Sequence, residues 1–171
     1  AWESVSDASL DATVREILSQ VKQRGDEAIV EYSANFDKFP AATINDLDVS
    51  EQQMSDALAS LDRELLEALE IAVQRISDFH QHQYQESWTI EDAAGTRLGQ
   101  KVTPLDRVGV YVPGGKAAYP SSVLMNVLPA KIAGVKEIVM VSPSPMGELN
   151  PTVLAAAKLA GVDKFYSIGG A

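Results

Sequence analysis

Apolar residues recur every three or four positions through most of the first 80 residues, the spacing of one face of an α-helix. The first of these segments begins at Asp7 or Ser9, either of which can cap a helix, and ends with Arg24 before Gly25. A hydroxyl at Ser50 precedes an amide at Gln53 by three residues, the form of a capping box. The periodicity fails over residues 35–48, which predicts a loop. Helices are predicted over residues 9–24, 26–32, 51–61 and 63–79.

The pattern changes after residue 86 to short runs that favour β-strands. Residues 87–92 and 96–102 read as a hairpin joined at Ala93-Ala94-Gly95. Beyond it, apolar strands alternate with helical segments that open or close at proline and glycine. Strands are predicted over residues 107–112, 137–142 and 164–168, and helices over residues 121–133 and 151–159. The near-continuous apolar character of residues 137–142 is typical of a strand in a sheet covered on both faces.

This order of elements predicts an α/β protein. A helical amino-terminal layer with a β-hairpin precedes a βαβαβ unit, in which a parallel, Rossmann-like sheet is expected. We interpret residues 1–106 as part of a first, incomplete α/β domain and residues 107–171 as the start of a second. Because the chain lacks an initiating Met and stops inside a glycine turn at Ala171, we expect a fragment of a larger multidomain enzyme.

Composition is typical of a soluble globular protein, with 46% hydrophobic and 22% charged residues. No apolar run approaches the roughly 20 residues of a membrane span, and no signal peptide is visible. The absence of cysteine excludes disulfides, thiolate zinc sites and a cysteine nucleophile. These features favour a cytoplasmic protein without a membrane partner.

The net charge of −10 is unevenly distributed. Of the 24 acidic and 14 basic residues, 20 acidic and 7 basic residues precede Lys101, so that part carries −13 and the remainder carries +3. Nucleic acid is an unlikely ligand for so acidic a chain. The mildly basic remainder permits an anionic ligand, although helical surfaces are generally more charged than buried strands.

The segment of greatest chemical interest is the connection that follows the first strand of the βαβαβ unit. Pro113, Gly114 and Gly115 end that strand abruptly, and a helical pattern resumes at Ser121. Backbone N–H groups and a helix amino terminus at the carboxyl end of a strand suit an anion such as a pyrophosphate. The same residues equally fit a strand-to-helix connection that binds nothing.

His80 and His82 are the only histidines and invite a metal-binding interpretation. A spacing of two places them on nearly opposite sides of a helix, unlike the i, i+4 pair that two ligands on one helix require. No acidic residue is positioned to complete a cluster. We therefore interpret both as polar residues at a helix end and predict no metal ligands in the chain.

The residues around the glycine-rich connection resemble the signature region of L-histidinol dehydrogenase. The resemblance is specific, because long consecutive strings match at compatible spacing over nearly the whole chain. The matching segments are residues 24–28, 32–33, 36–37, 79–80, 108–126, 129–135, 147–151 and 160–163.

The resemblance implies the last step of histidine biosynthesis, in which L-histidinol is oxidised through histidinal to L-histidine by two NAD molecules in succession. It implies a zinc ion that holds the substrate, a Glu–His pair for acid–base chemistry, and a homodimer with an aldehyde-dehydrogenase-like fold. The zinc ligands and the Glu–His pair of the family lie in later segments, so no catalytic residue is assigned to this chain. We expect the 171-residue chain alone to be inactive.

The site residues carried over are those of the cofactor loop. Tyr111 matches the family's NAD-contacting tyrosine, although an aromatic residue at a strand end could also pack on the sheet. Pro113, Gly114 and Gly115 would shape the loop. Lys116 and Ser121 are weaker candidates for a phosphate, since Lys116 could equally be solvated and Ser121 could equally cap the helix. The generic G-x-G-x-x-G fingerprint is absent.

A different class of hypothesis is a non-catalytic α/β binding or assembly module. It would have the same fold and the same glycine-rich connection but no redox activity. Turnover of NAD with histidinol by the complete protein discriminates between the two.

Overall fold

The structure is a computed structural model that describes residues 8–114 and 119–169. The helices are α1 (Ala8–Arg24), α2 (Asp26–Tyr32), α3 (Glu51–Ala59), α4 (Arg63–Gln81), α5 (Pro120–Ile132) and α6 (Pro151–Ala160). The strands are β1 (Asp48–Val49), β2 (Trp88–Glu91), β3 (Arg97–Gln100), β4 (Arg107–Tyr111), β5 (Glu137–Val141) and β6 (Lys164–Tyr166). The predicted α/β class, the hairpin β2–β3 and the βαβαβ unit from β4 to β6 are confirmed.

Four strands form the main sheet in the order β1-β6-β5-β4. The neighbours β4, β5 and β6 run parallel, whereas β1 pairs antiparallel with β6 through Asp48 and Val49. The prediction of a plain loop over residues 35–48 is wrong, because this segment contains a π-helical turn (Ser33–Asp37), a 3-10 turn (Ile44–Leu47) and the start of β1. A two-residue strand has too few positions to show an alternating pattern. Strand β1 forms because β6 lies beside it as a pairing partner.

Helices α5 and α6 pack side by side between the sheet and an outer pair, in which α3 lies on α6 and α4 lies on α5. One continuous core joins these layers. Its centre is the helix-facing side of the sheet, where Ile138, Met140 and Phe165 are fully buried. On the other side of β5, Val139 and Val141 are only partly buried. The described residues therefore cover one face of the sheet fully and the second face in part.

The proposed division between residues 106 and 107 remains a prediction. The core contains Met54 and Leu69 from before that position together with Val127 and Phe165 from after it. The apolar stripe of α1 lies outside this core, with Leu10, Val14 and Leu18 exposed. Among the residues described, no helix combines the length and apolar character needed to cross a bilayer.

Side chains cap the amino ends of helices α3 and α4. Ser50 accepts a hydrogen bond from the Gln53 N–H, and the Gln53 amide oxygen accepts one from the Ser50 N–H (2.8 Å), which confirms the capping box. Asp62 caps α4 by accepting from the Leu65 N–H (2.8 Å). These bonds satisfy donors that a helix start leaves free.

Asp163 ties the amino end of β6 to β5. Its carboxylate accepts from the Ile138 N–H (2.8 Å) and from Lys131 Nζ (2.9 Å). Burial is the largest single influence and raises the pKa of Asp163, but the hydrogen bonds from Lys131 and the Ile138 N–H together outweigh it and lower that pKa. A carboxyl whose pKa is lowered by folding stabilises the protein above its unfolded pKa of about 3.9, and this contribution is lost as pH falls through the folded pKa.

Replacing Asp163 with Asn is therefore expected to destabilise the protein at pH 7 by about 1 kcal/mol, because a charge-assisted acceptor becomes a neutral one. The difference from the wild type should shrink as the pH falls below about 4. Urea unfolding at pH 7 and pH 3 measures both quantities. Asp163→Ala should lose more at pH 7, about 1–3 kcal/mol, since the buried Ile138 N–H is left without its acceptor. An Asn variant equally destabilised at both pH values would contradict the assignment.

Candidate functional site

The candidate site lies at the carboxyl edge of the parallel strands, where β4, β5 and β6 end side by side. We call residues 112–119 the glycine loop, of which residues 112–114 and 119 are described, residues 142–147 the β5 turn and residues 167–169 the β6 turn. Hydrogen bonds continue past the strands, from the Val112 N–H to the Val141 carbonyl (3.0 Å) and from the Ser142 N–H to the Tyr166 carbonyl (3.2 Å). The three turns therefore start in register, at the edge where open α/β sheets bind ligands.

Two glycines of these turns lie too close to Pro143 of the β5 turn to accept a side chain. A Cβ on Gly114 would overlap the carbonyl oxygen of Pro143 and lie 3.0 Å from its Cγ. A Cβ on Gly169 would overlap the Cβ of Pro143 and lie 2.7 Å from its Cα. Glycine is thus required at both positions by close approach to the same proline.

Buried serines join the β5 and β6 turns. Ser142, Ser144 and Ser167 are all buried, and the hydroxyls of Ser144 and Ser167 are hydrogen-bonded to each other. The Ser167 N–H donates to the Leu47 carbonyl (2.8 Å), which links the β6 turn to the segment before β1. Buried hydroxyls that satisfy each other fix the relative position of the two turns.

Tyr111 is the last residue of β4 and borders the glycine loop. Its neighbours Val110 and Val112 are buried on the helix-facing side, so the alternation of a strand places Tyr111 on the opposite side of the sheet. Its side chain is 55% exposed. A large aromatic group thus stands open beside the glycine loop within the described residues.

The structure places the other candidates unequally. Pro113 is exposed at the start of the glycine loop, and Ser121 is exposed in the first turn of α5. Ser121 is not the N-cap, because Tyr119 occupies that position and Pro120 is the first helical residue. The helix therefore begins one residue earlier than predicted, at Pro120. Proline is favoured at a first helical position because the N–H that it lacks would have no partner within the helix. Gly115 and Lys116 lie outside the described residues.

The two edges of the parallel sheet differ in charge. Arg107, the first residue of β4, pairs with Glu137, the first residue of β5 (2.6 Å), and the hydrogen bond from Arg107 lowers the pKa of Glu137. Lys164 at the start of β6 also approaches Glu137 (3.5 Å). Among the described residues of the three turns, none takes part in an ion pair. The ion pairs found among the described residues of the parallel sheet thus lie at its amino edge.

The histidines do not form a metal centre within the residues described. His80 Nδ1 lies 2.7 Å from the Gln83 Oε1, and the His80 ring meets Phe79 edge to face. His82 is the C-cap of α4. The described part of the chain brings together no group of three or more His, Cys, Asp or Glu side chains that could hold a metal ion.

Sequence reasoning recognised the glycine loop but missed the part played by Pro143. From the sequence, residues 143–150 are only the connection between the predicted strand 137–142 and the predicted helix 151–159. The signal present in the sequence is proline directly after a buried strand, flanked by Ser142 and Ser144. That signal gains meaning only when β5 is known to lie between β4 and β6.

Comparison with known proteins gives a consistent likeness. The family model described as histidinol dehydrogenase matches residues 2–171. The chain is 55% identical over 171 residues to the histidinol dehydrogenase of Acinetobacter baylyi and 54% identical to that of Psychrobacter arcticus, covering 100% of this chain and 40% of each relative. A crystal structure of histidinol dehydrogenase from Elizabethkingia anophelis superposes with a TM-score of 0.85 at 32% identity, covering 94% of this chain and 36% of that chain. The chain thus spans about two fifths of the length of the curated relatives it matches.

Proposed function

Because the chain belongs to the histidinol dehydrogenase family, we propose that the protein containing it oxidises L-histidinol through histidinal to L-histidine, with NAD as the electron acceptor. In this proposal the chain supplies the NAD-side loop. The protein acts as a homodimer in the cytoplasm, and zinc and the acid–base pair are held by residues outside positions 1–171.

The observation that carries the proposal is the exposed Tyr111 beside a glycine loop closed by the Gly114–Pro143 contact. Gly114 brings its backbone to a place where a side chain would collide, and Tyr111 leaves an aromatic surface open next to it. Such an edge suits a nucleotide, because phosphate oxygens accept hydrogen bonds from backbone N–H groups and the nucleotide rings stack on aromatic side chains. The residues present therefore fit NAD.

In this arrangement each residue has a definite task. The aromatic ring of Tyr111 contacts the cofactor and orients it. The N–H groups of the glycine loop and of the first turn of α5 bind phosphate oxygens. The Ser121 hydroxyl, exposed in that first turn, can donate to the same phosphates. Bound NAD supplies the acceptor for the hydride that leaves the substrate carbon.

The described residues do not fit zinc in the same way, since they offer no cluster of three suitable ligands. His80 is engaged by Gln83. No step through the metal is therefore derived from this chain, and the proposal assigns metal binding to other parts of the protein.

The test is an assay of the full-length gene product that includes these 171 residues. With L-histidinol and NAD it is expected to form NADH, two per histidine produced, and a zinc chelator should abolish the activity until zinc is restored. The purified 171-residue chain is expected to show no turnover under the same conditions. Absence of NADH formation by the full-length protein with both zinc and NAD supplied would favour the non-catalytic module.

A further inference from the structure

Pro143 stands between the two glycine-containing turns of the candidate site. Strand β5 lies between β4 and β6 in the sheet, so the residue just beyond β5 is flanked by the residues just beyond its neighbours. Gly114 approaches it from the β4 side and Gly169 from the β6 side. The proline is thus in contact with both turns, although Gly114 and Gly169 are 55 positions apart in the sequence.

The two glycines meet overlapping parts of this proline. For Gly114 the first obstacle to a Cβ is the Pro143 carbonyl oxygen, followed by the ring Cγ at 3.0 Å and the carbonyl carbon at 3.2 Å. For Gly169 the obstacles are the ring atoms Cβ and Cγ, the latter at 2.9 Å, and the Cα at 2.7 Å. Gly169 therefore lies against the ring, and Gly114 lies against the main-chain carbonyl and the Cγ of the same ring.

We propose that Pro143 is a positioning residue for the glycine loop, acting as a spacer that sets the separation between this loop and the β6 turn. The proposal rests on the proposed function in so far as the loop binds NAD. Proline suits the task because its ring is rigid, its φ is fixed and it has no N–H that would need a partner between two packed turns. The Ser144–Ser167 hydrogen bond joins the β6 turn to the residue that follows Pro143.

A consequence is that bulk added at Gly169 moves the glycine loop without touching it. A methyl group there displaces the proline ring, and the ring carries its carbonyl against Gly114. Pro143 and Gly169 are half-buried and Gly114 is exposed, so Gly114 is the partner that is free to give way, and the displacement is expected to move the start of the NAD-side loop.

The experiment uses four variants of the full-length gene product. Gly169→Ala is expected to raise the Michaelis constant for NAD about tenfold while kcat stays within about threefold. Adding Pro143→Gly removes the Cβ and Cγ that obstruct the methyl group. The Cα remains 2.7 Å away, but a glycine at position 143 has a free φ, so its backbone can move aside. The double variant should therefore return to within about threefold of Pro143→Gly alone.

Pro143→Ala is the matched control, because alanine also removes the rigid ring but keeps the Cβ that overlaps the new methyl group. The Gly169→Ala/Pro143→Ala variant should remain as impaired as Gly169→Ala. A general loss of rigidity at position 143 would make the alanine and glycine variants behave alike. Equal rescue by both, rescue by neither, or an unchanged Michaelis constant for NAD in Gly169→Ala overturns the proposal.

Hydrogen–deuterium exchange separates this proposal from the proposed function. In peptides covering residues 108–125, exchange should be faster in Gly169→Ala and return to the level of Pro143→Gly when both changes are combined. A wild-type protein that neither binds nor reduces NAD removes the proposed function, and the exchange result then decides the spacer role by itself. Unaltered exchange in Gly169→Ala overturns it.

Discussion

Replacing Phe165 with alanine is expected to lower the free energy of unfolding by about 3–5 kcal/mol. Among the described residues Phe165 is the largest fully buried side chain, at 0% exposure in the middle of β6. It lies opposite Val49 of β1 and beside Met140 of β5 in the sheet. Since strands on both sides hold the surrounding atoms in place, the cavity left by the ring cannot collapse fully. Urea unfolding of the full-length gene product measures the loss.

Phe165→Leu is the control for this prediction. Leucine refills most of the volume, so the expected loss is about 1.5 kcal/mol or less. A loss below 1 kcal/mol for the alanine variant would contradict the central position given to this ring, because a core site in a sheet covered by two helices cannot be so tolerant.

The second large effect is expected at Tyr111. Tyr111→Ala in the full-length gene product should raise the Michaelis constant for NAD about 10- to 100-fold, because the aromatic surface bordering the glycine loop is removed. The Michaelis constant for L-histidinol should change by less than about threefold, since the proposed contact is with the cofactor. Steady-state kinetics with each substrate varied in turn provides both values.

Two further variants separate the causes of this effect. Tyr111→Phe keeps the ring and should recover most of the affinity for NAD if stacking dominates, whereas it should resemble alanine if the hydroxyl is the essential group. Tyr84 has a similarly exposed side chain, at 57% against 55% for Tyr111, and lies beyond α4. Tyr84→Ala should leave the Michaelis constant for NAD within about threefold of the wild type. An unchanged value for Tyr111→Ala would remove Tyr111 from the cofactor site.

The features predicted correctly from the sequence are those that neighbouring residues determine. The capping box at Ser50 and Gln53 and the hairpin around Gly95 each depend on a few consecutive positions. Tyr111 and Gly114 could be selected as candidates because they stand in one continuous motif. Such features need no knowledge of the strand order.

The features that were missed depend on residues far apart in the chain. Strand β1 exists because β6 lies beside it, and its two residues carry no period of their own. The contact of Pro143 with both glycines depends on the strand order β6-β5-β4. The local sequence shows a proline after a strand. Only the arrangement of the sheet shows that this proline lies between Gly114 and Gly169.

The antiparallel pairing of β1 with β6 has a consequence for synthesis on the ribosome. Val49 pairs with Phe165, and Glu51 pairs with Lys158 across 107 positions (2.6 Å). At about 5–20 residues per second, several seconds pass between translation of the first partner and translation of the second. During that interval the apolar face of α3 has no α6 to cover it. The nascent chain is therefore expected to need a chaperone, or transient cover from its own earlier helices, until β6 leaves the exit tunnel.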